Sequence, residues 1–457
     1  MNELTDTIAA ISTPPGEGGI GIIRISGPEA TTIADRVFIS RNNKPLSISR
    51  GYSMRLGKVY SNTKAVDDAL ALLFKAPRSY TGEDVVEIHC HGGPVLLEMI
   101  LRTVTDAGAR AAMAGEFTRR AYVNGRISLT EAEGIAGIIS AVSKQGEAAA
   151  YALSNGSLYK ETIRLKDVIL ELQSSIAACL DFPEEDVEPV DNDRMIGQLN
   201  KLRLSLQELA DSYETGINIM RGIPTAIVGS ANVGKSTLMN LLSGYEKTIV
   251  TPIAGTTRDV VEHQVRIGGT TLFLADTAGI RESEDEVEKI GIDLALHRAD
   301  NSALVLAVFD GSRRISDDDR ALIKKLSGKK AIAVINKIDL KQHLDPEEIL
   351  NTFESVVYIS ANDPMYYAAI EAKITEITKT ANLSADVPIL MNERQRSAVI
   401  KALFSTEEAL KAAETGMTPD VVFISLDDAL AAIFELSGEN ASDAVIDEVF
   451  SRFCVGK

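Results

Sequence analysis

The sequence predicts a multidomain chain of α/β plus all-α class: an α/β domain inserted into a helical domain, with an α+β domain ahead of both. Three observations predict it. Near-continuous apolar runs alternate with helical stretches across residues 217–380, the pattern of a mostly parallel sheet buried on both faces. Ala-, Glu- and Leu-rich sequence with helical apolar spacing flanks this region on both sides, over 121–216 and 381–457. Residues 1–120 instead mix short β-branched runs with helical segments.

In the first domain, residues 20–25 and 85–89 are rich in β-branched side chains and bounded by Gly and Pro, which predicts strands. From about residue 130 to 215 the spacing is helical, broken at Phe182-Pro183-Glu184-Glu185-Asp186; Ile196, Leu199, Leu202, Leu206 and Leu209 fall on one face. Strands follow at 225–228, 271–275, 303–309, 331–335 and 356–359, then helices at 393–415 and 426–436. A shared helical texture on both sides suggests an insertion, although two separate helical domains would leave the same trace.

Bulk properties narrow the class. The chain has 457 residues, room for about three domains at roughly 150 residues each. Hydrophobic residues make up 45% and charged residues 25%, an ordinary globular composition that argues against disorder. No apolar run reaches the roughly 20 residues a bilayer span needs. Residues Met1 to Asp6 lack the basic start and apolar core of a signal peptide. The 3 cysteines, Cys90, Cys179 and Cys454, cannot form a disulfide scaffold, and a cytoplasmic location is expected. A net charge of −18 repels phosphate backbones, which argues against a generic nucleic-acid coat.

The chemistry concentrates in the inserted domain. Gly229-Ser230-Ala231-Asn232-Val233-Gly234-Lys235-Ser236 fits G-x-x-x-x-G-K-S/T between a strand and a helical run that opens with Thr237. Glycines let backbone N–H groups converge on phosphate oxygens, and the helix N-terminus favours their charge. Lys235 would reach the β- and γ-phosphates, and Ser236 would bind Mg2+. Asp276-Thr277-Ala278-Gly279 ends the next strand, where a carboxylate can hold Mg2+ through water and the Gly279 N–H can sense the γ-phosphate. Asn336-Lys337-Ile338-Asp339 follows a third strand. The Asp339 carboxylate can accept from both the ring N–H and the 2-amino group of guanine, a pairing that adenine does not offer. Ser360-Ala361 is placed for a backbone contact to the guanine oxygen. Between these motifs, Thr251-Pro252-Ile253-Ala254-Gly255-Thr256-Thr257-Arg258-Asp259 reads as a switch-type loop, with Thr257 joining Mg2+. Together the motifs predict a Ras-like P-loop GTPase domain. Ile280 stands where Ras-like proteins orient water with Gln, so another group must do so; the acidic run 282–288 offers candidates. His89-Cys90-His91 does not read as a zinc site, because strand alternation places the cysteine on the opposite face.

The Asn232 loop, residues 251–259 and residues 276–290 resemble the MnmE (TrmE) family of tRNA wobble-uridine modification GTPases. So do the opening residues from Asp6 to Gly27, Gly115-Glu116-Phe117-Thr118-Arg119-Arg120-Ala121 with Asn124-Gly125-Arg126, and Cys454-Val455-Gly456-Lys457. The resemblance implies K+ held by Asn232, Thr251, Ile253 and Thr256, Mg2+ on Ser236 and Thr257, and Glu288 orienting the attacking water. It implies a homodimeric tetrahydrofolate-binding domain in residues 1–120, taking 5-formyl- or methylene-tetrahydrofolate on Arg24, Glu87, Arg126 and Lys457. Arg126 stands where a lysine is equally expected. Cys454 is a catalytic thiol by resemblance and a spare one by the ordinary behaviour of isolated cysteines. The implied partner is the FAD-carrying MnmG, in a heterotetramer or larger complex that adds an aminomethyl or carboxymethylaminomethyl group to the wobble uridine of certain tRNAs. A switch GTPase of ribosome assembly shares the nucleotide motifs but would carry a basic RNA-binding domain, which the sequence does not contain. A folate-dependent methyltransferase with a regulatory GTPase is the other rival.

Overall fold

The computed structural model describes residues 6–49, 51–181, 192–244, 262–275, 299–300, 302–378 and 387–457. The chain forms two compact units, Met1–Ala136 with Ile433–Lys457, and Gly137–Ala432.

The first unit contains β1 (Ile8–Ile11), β2 (Gly18–Ser26), α1 (Ala30–Val37), β3 (Phe38–Ser40), β4 (Ser53–Ser61), β5 (Lys64–Phe74), β6 (Val85–Gly92), α2 (Pro94–Asp106), β7 (Arg110–Ala111) and α3 (Glu116–Val123). The strands form one sheet in the order β3-β4-β5-β6-β2-β1-β7. The two expected strands are the centres of β2 and β6, which pair antiparallel with Arg24 opposite Glu87. Alternation explains what each face does. Ile23, Ile25, Val86 and Ile88 point into a core with Ile33 of α1 and Leu97, Ile100 and Val104 of α2. Arg24 and Glu87 occupy the other face. A one-residue slip would drive both charges into that core, so burial of the isoleucines fixes the register.

A buried ion cluster secures α3. Arg120 is fully buried; its Nη1 donates to Asp6 O (2.7 Å) and Glu83 Oε1 (3.1 Å), and its Nη2 to Asp6 Oδ1 (2.6 Å) and Glu116 Oε1 (3.2 Å). Burial alone would raise the Glu116 carboxyl, but donors from Arg110, Met113 and Arg120 outweigh it and hold it below the usual carboxylate range.

Most of α4 (Leu129–Ser140) belongs to the first unit, and its last turn begins the second, which continues with α5 (Lys144–Ser154), α6 (Ser157–Asp181) and α7 (Asn192–Arg221). Leu199, Leu202, Leu206 and Leu209 are buried along α7 as the spacing predicts, while Met195 takes the buried place and leaves Ile196 half-exposed. The expected break at 182–186 lies outside the described residues. The α/β layer follows: β8 (Ile223–Val228), α8 (Lys235–Gly244), β9 (Glu262–Ile267), β10 (Thr270–Ala275), β11 (Leu304–Asp310), α9 (Asp317–Leu326), β12 (Ala331–Asn336), α10 (Glu347–Thr352), β13 (Ser355–Tyr358) and α11 (Tyr367–Ile377). The sheet order is β13-β12-β11-β8-β10-β9; its pairs are parallel except β9 with β10. Both faces are covered, one by Leu238 and Leu242 of α8 and Ile370 and Ile374 of α11, the other by Leu322 and Ile323 of α9 and Ile349 of α10. That double burial is why these strands read as unbroken apolar runs.

β9 was not expected. Its sequence, Glu-His-Gln-Val-Arg-Ile, is polar because it is an edge strand bonded to β10 alone. The helical texture then resumes in α12 (Glu393–Glu414), capped by Asn392 accepting from Gln395 N, and α13 (Pro419–Ser437), which is longer than the expected 426–436. The last helix, α14 (Asp443–Ser451), belongs to the first unit.

Candidate nucleotide site and a polar face on the amino-terminal sheet

The phosphate-type loop leaves β8 through backbone that only particular residues tolerate. Gly234 has φ +99°, and a Cβ there would lie 2.2 Å from Asn336 Nδ2. Asn232 has φ +59°, a left-handed conformation that Asn accepts more readily than most residues. Val233 between them is fully buried and anchors the loop to the sheet core. The chain enters α8 at Lys235, so the helix's first N–H groups, around Ser236 and Thr237, face the loop's concavity. Lys235 Nζ donates to Gly229 O (2.8 Å) and Ser230 O (2.7 Å). Desolvation pushes its pKa below the ordinary lysine value.

The Asn336-Lys337-Ile338-Asp339 motif is built into that loop. Asn336 closes β12 and is buried; its Nδ2 donates to Val233 O (2.8 Å), and its Oδ1 accepts from Ala361 N (2.9 Å). Lys337, at φ +65°, donates to Asn232 O (2.8 Å) and pairs with Asp310 Oδ2 (2.6 Å). Burial alone would raise the Asp310 carboxyl, but the Lys337 ammonium and the Ser312 donors hold it below the usual range. Asn336 and Lys337 therefore tie the loops together. Asp339, three residues past the buried Asn336, is exposed, and Ile338 N donates to Ile359 O (3.2 Å). In the Ser360-Ala361 segment, expected to offer a backbone contact to a guanine oxygen, the Ala361 N–H donates to Asn336 and Ser360 is buried. Thr251, Pro252, Ile253, Ala254, Gly255, Thr256, Thr257, Asp276, Thr277, Ala278, Gly279 and Glu288 lie outside the described residues.

On the first unit's sheet, Arg24 Nε donates to Glu87 Oε1 at 2.9 Å, and Glu87 Oε2 lies 3.1 Å from His89 Nε2. The Arg24 guanidinium sits 5.6 Å from the Tyr80 ring centre and 5.5 Å from that of Phe117. Its Nη1 donates to Gly456 O (3.2 Å), which also accepts from Ser12 Oγ (3.0 Å). The 454–457 segment is docked there: Val455 bridges Ala114, and a Cβ on Gly456 would meet Ile11 O at 2.2 Å. Arg24, Glu87 and the residue preceding Lys457 are thus brought together. Arg126 is exposed, with its Cγ beside Gly82 in the loop that carries Tyr80. Cys454 is exposed. His91 pairs with Asp67 (2.7 Å), whereas Cys90 is buried with Sγ toward Gly21 O, on the opposite face of the strand.

Sequence reading missed Tyr80, His89 and Phe117 around Arg24, and Asp310 beside Lys337. Only His89 had an available signal, since it stands two residues from Glu87 and so on the same strand face. The others depend on tertiary pairing.

Comparison with known proteins covers both units. The family model described as GTP-binding protein TrmE N-terminus matches residues 7–126, and that of the MnmE helical domain matches 129–454. The tRNA modification GTPase MnmE of Acetivibrio thermocellus is 38% identical over 457 residues, covering 99% of each chain. That of Clostridioides difficile is 37% identical over 457 residues, covering 99% of this chain and 100% of its own. That of Geobacter sulfurreducens is 40% identical over 456 residues and 99% of each chain. With the Gly229–Ser236 loop, the Asn336–Asp339 loop and the amino-terminal sheet all falling within these end-to-end matches, the chain belongs to the MnmE family of tRNA modification GTPases.

Proposed function

We propose that the chain is a K+-activated GTPase that acts with a flavin-dependent MnmG partner to add an aminomethyl-type group to the wobble uridine of certain tRNAs, using a folate one-carbon unit. The observation that carries this reading is the coexistence of two built sites in one chain: the loop tied through Lys235, Asn336 and Lys337, and the Arg24–Glu87 pair. Division of labour would follow 1–120 for folate and dimerisation, 121–216 with 381–457 for the helical frame, and 217–380 for GTP.

The donor sets suit the groups proposed. Lys235 and the first turn of α8 offer positive charge to the β- and γ-phosphates. Ser236, exposed at that turn, would hold Mg2+ together with Thr257, and Asn232 would hold K+ with Thr251, Ile253 and Thr256. These ions supply positive charge against the negative charge that develops between the β- and γ-phosphates. Glu288 would orient the attacking water in place of the glutamine that Ile280 replaces. Glu87 suits an aminopyrimidinone ring, and Arg24, Arg126 and Lys457 suit the carboxylates of a folate tail. An apolar sheet face borders that site: Met54 and Leu56 are exposed and pair with Leu72 and Leu70, which pair with Glu87 and His89. A second copy would cover such a patch, which supports a homodimer. The acidic composition supports a partner that supplies much of the tRNA-binding charge. None of the helices, among the described residues, is long and apolar enough to cross a membrane; a cytoplasmic site of action remains part of the proposal.

Mass analysis of wobble uridines tests the function. Cells lacking the protein are expected to accumulate unmodified uridine, with wild type restoring the modification and Arg24→Ala, still able to hydrolyse GTP, failing to do so. Unchanged uridine in the deletion would end the reading. For the ion, GTP turnover in KCl is expected to exceed that in NaCl by about tenfold or more at equal ionic strength. Equal rates in the two salts would remove K+ from the mechanism.

A further inference from the structure

We propose that Asp319 is a positioning residue for the phosphate-binding lysine, acting through the hydroxyl of Ser230; this rests on the GTPase reading above. Asp319 is the third residue of α9 and only 2% exposed. It completes a capping box with Ser316: Ser316 Oγ accepts from Asp319 N (3.2 Å), while Asp319 Oδ2 accepts from Ser316 N (3.0 Å) and Ser316 Oγ (2.8 Å). Capping occupies one carboxylate oxygen. The other, Oδ1, accepts from Ser230 Oγ at 2.5 Å, across 89 residues of sequence. Arg313 Nη2, 3.3 Å from Oδ2, supplies the countercharge that a buried carboxylate requires. Asp319 is thus an anchor held from two sides.

What it anchors matters for the reaction. Ser230 is the second residue of the phosphate loop, and its carbonyl takes the Lys235 ammonium at 2.7 Å. The loop's other half is held from β12, through Asn336 on Val233 O and Lys337 on Asn232 O. Without the Asp319 bond, Ser230 and its carbonyl would lose a side-chain restraint just where Lys235 takes its direction. Misplacing a charged group by a fraction of an ångström costs rate when its partner charge develops in the transition state.

Ser230→Ala removes the tether and leaves the capping box intact; Ser230→Thr keeps a hydroxyl. The test uses the full chain with GTP for turnover, GDP for calorimetric binding, and thermal unfolding. Ser230→Ala is expected to lower kcat by about 3- to 10-fold and to weaken GDP binding by about 3-fold or less, because Lys235 serves the transition state more than the ground state. Its unfolding midpoint should stay within about 2 °C of wild type, and Ser230→Thr should recover most of kcat. Wild-type kcat in Ser230→Ala would overturn the proposal, as would a loss that Ser230→Thr fails to restore. A wild-type protein that neither binds GDP nor turns over GTP would instead overturn the GTPase reading, and this inference with it.

Discussion

Lys235→Ala is expected to lower GTP turnover by about 10²- to 10³-fold, the range found when one preorganised donor to a developing oxyanion is removed. The reason lies in how the side chain is held. Its ammonium is half-withdrawn from water and already directed by Gly229 O and Ser230 O. It would therefore meet phosphate charge in a medium where a cation acts more strongly than in bulk solvent. Desolvation favours the neutral amine; a bound polyanion would favour the ammonium, so ligand and lysine charge stabilise each other. Alanine leaves two loop carbonyls with one donor fewer, which costs about 1–2 kcal/mol, too little to unfold a domain with both sheet faces buried. Saturating-GTP turnover with a circular-dichroism melt checks this. A variant that folds and retains a tenth of the wild-type rate would remove Lys235 from the mechanism.

The second large effect is a change of base. Asp339→Asn is expected to weaken GTP binding by about 10²- to 10⁴-fold, because one charged pairing becomes neutral and the other is replaced by two donors facing each other, at about 1.5–3 kcal/mol each. Xanthine carries an oxygen where guanine has its 2-amino group, so an asparagine oxygen and amide can pair with its N–H and carbonyl. The same variant should therefore prefer the xanthosine nucleotide over GTP. The position favours a clean switch: Asp339 is exposed, whereas Asn336 and Lys337 carry the ties to the phosphate loop. Competition binding with GTP and xanthosine triphosphate measures it. Undiminished GTP preference in Asp339→Asn would place base recognition elsewhere.

Legibility in the sequence followed burial. The parallel strands were visible because both faces are covered, leaving runs such as Ala331 to Ile335 without a polar break. β9 was not, because an edge strand carries Glu262, His263, Gln264 and Arg266 on a sheet that needs only Val265 and Ile267 inside. The loop Gly229 to Ser236 was legible as a local motif, since its conformation depends on residues adjacent in sequence. That Asn336 and Lys337 brace this loop is a tertiary fact no spacing reveals. Arg24 opposite Glu87 likewise needed the β2–β6 register, and Asp319 beside Ser230 needed α9 folded back along β11 onto the loop.

The docking of Gly456 on Ile11 and Ser12 sets a timetable for synthesis. Ser12 and Gly456 are bonded across 444 residues, and the first unit is interrupted by everything from Gly137 to Ala432. At about 5–20 residues per second, a ribosome spends roughly 15–60 s on that interruption. Throughout it the amino-terminal sheet waits without the segment that supplies Arg24 with its carbonyl, while the second unit emerges with all its own strands in hand. The polar face around Arg24 and Glu87 is therefore the part of the first unit finished last, and a nascent chain stalled before residue 454 would carry all seven strands of the amino-terminal sheet while Arg24 still lacked the Gly456 carbonyl.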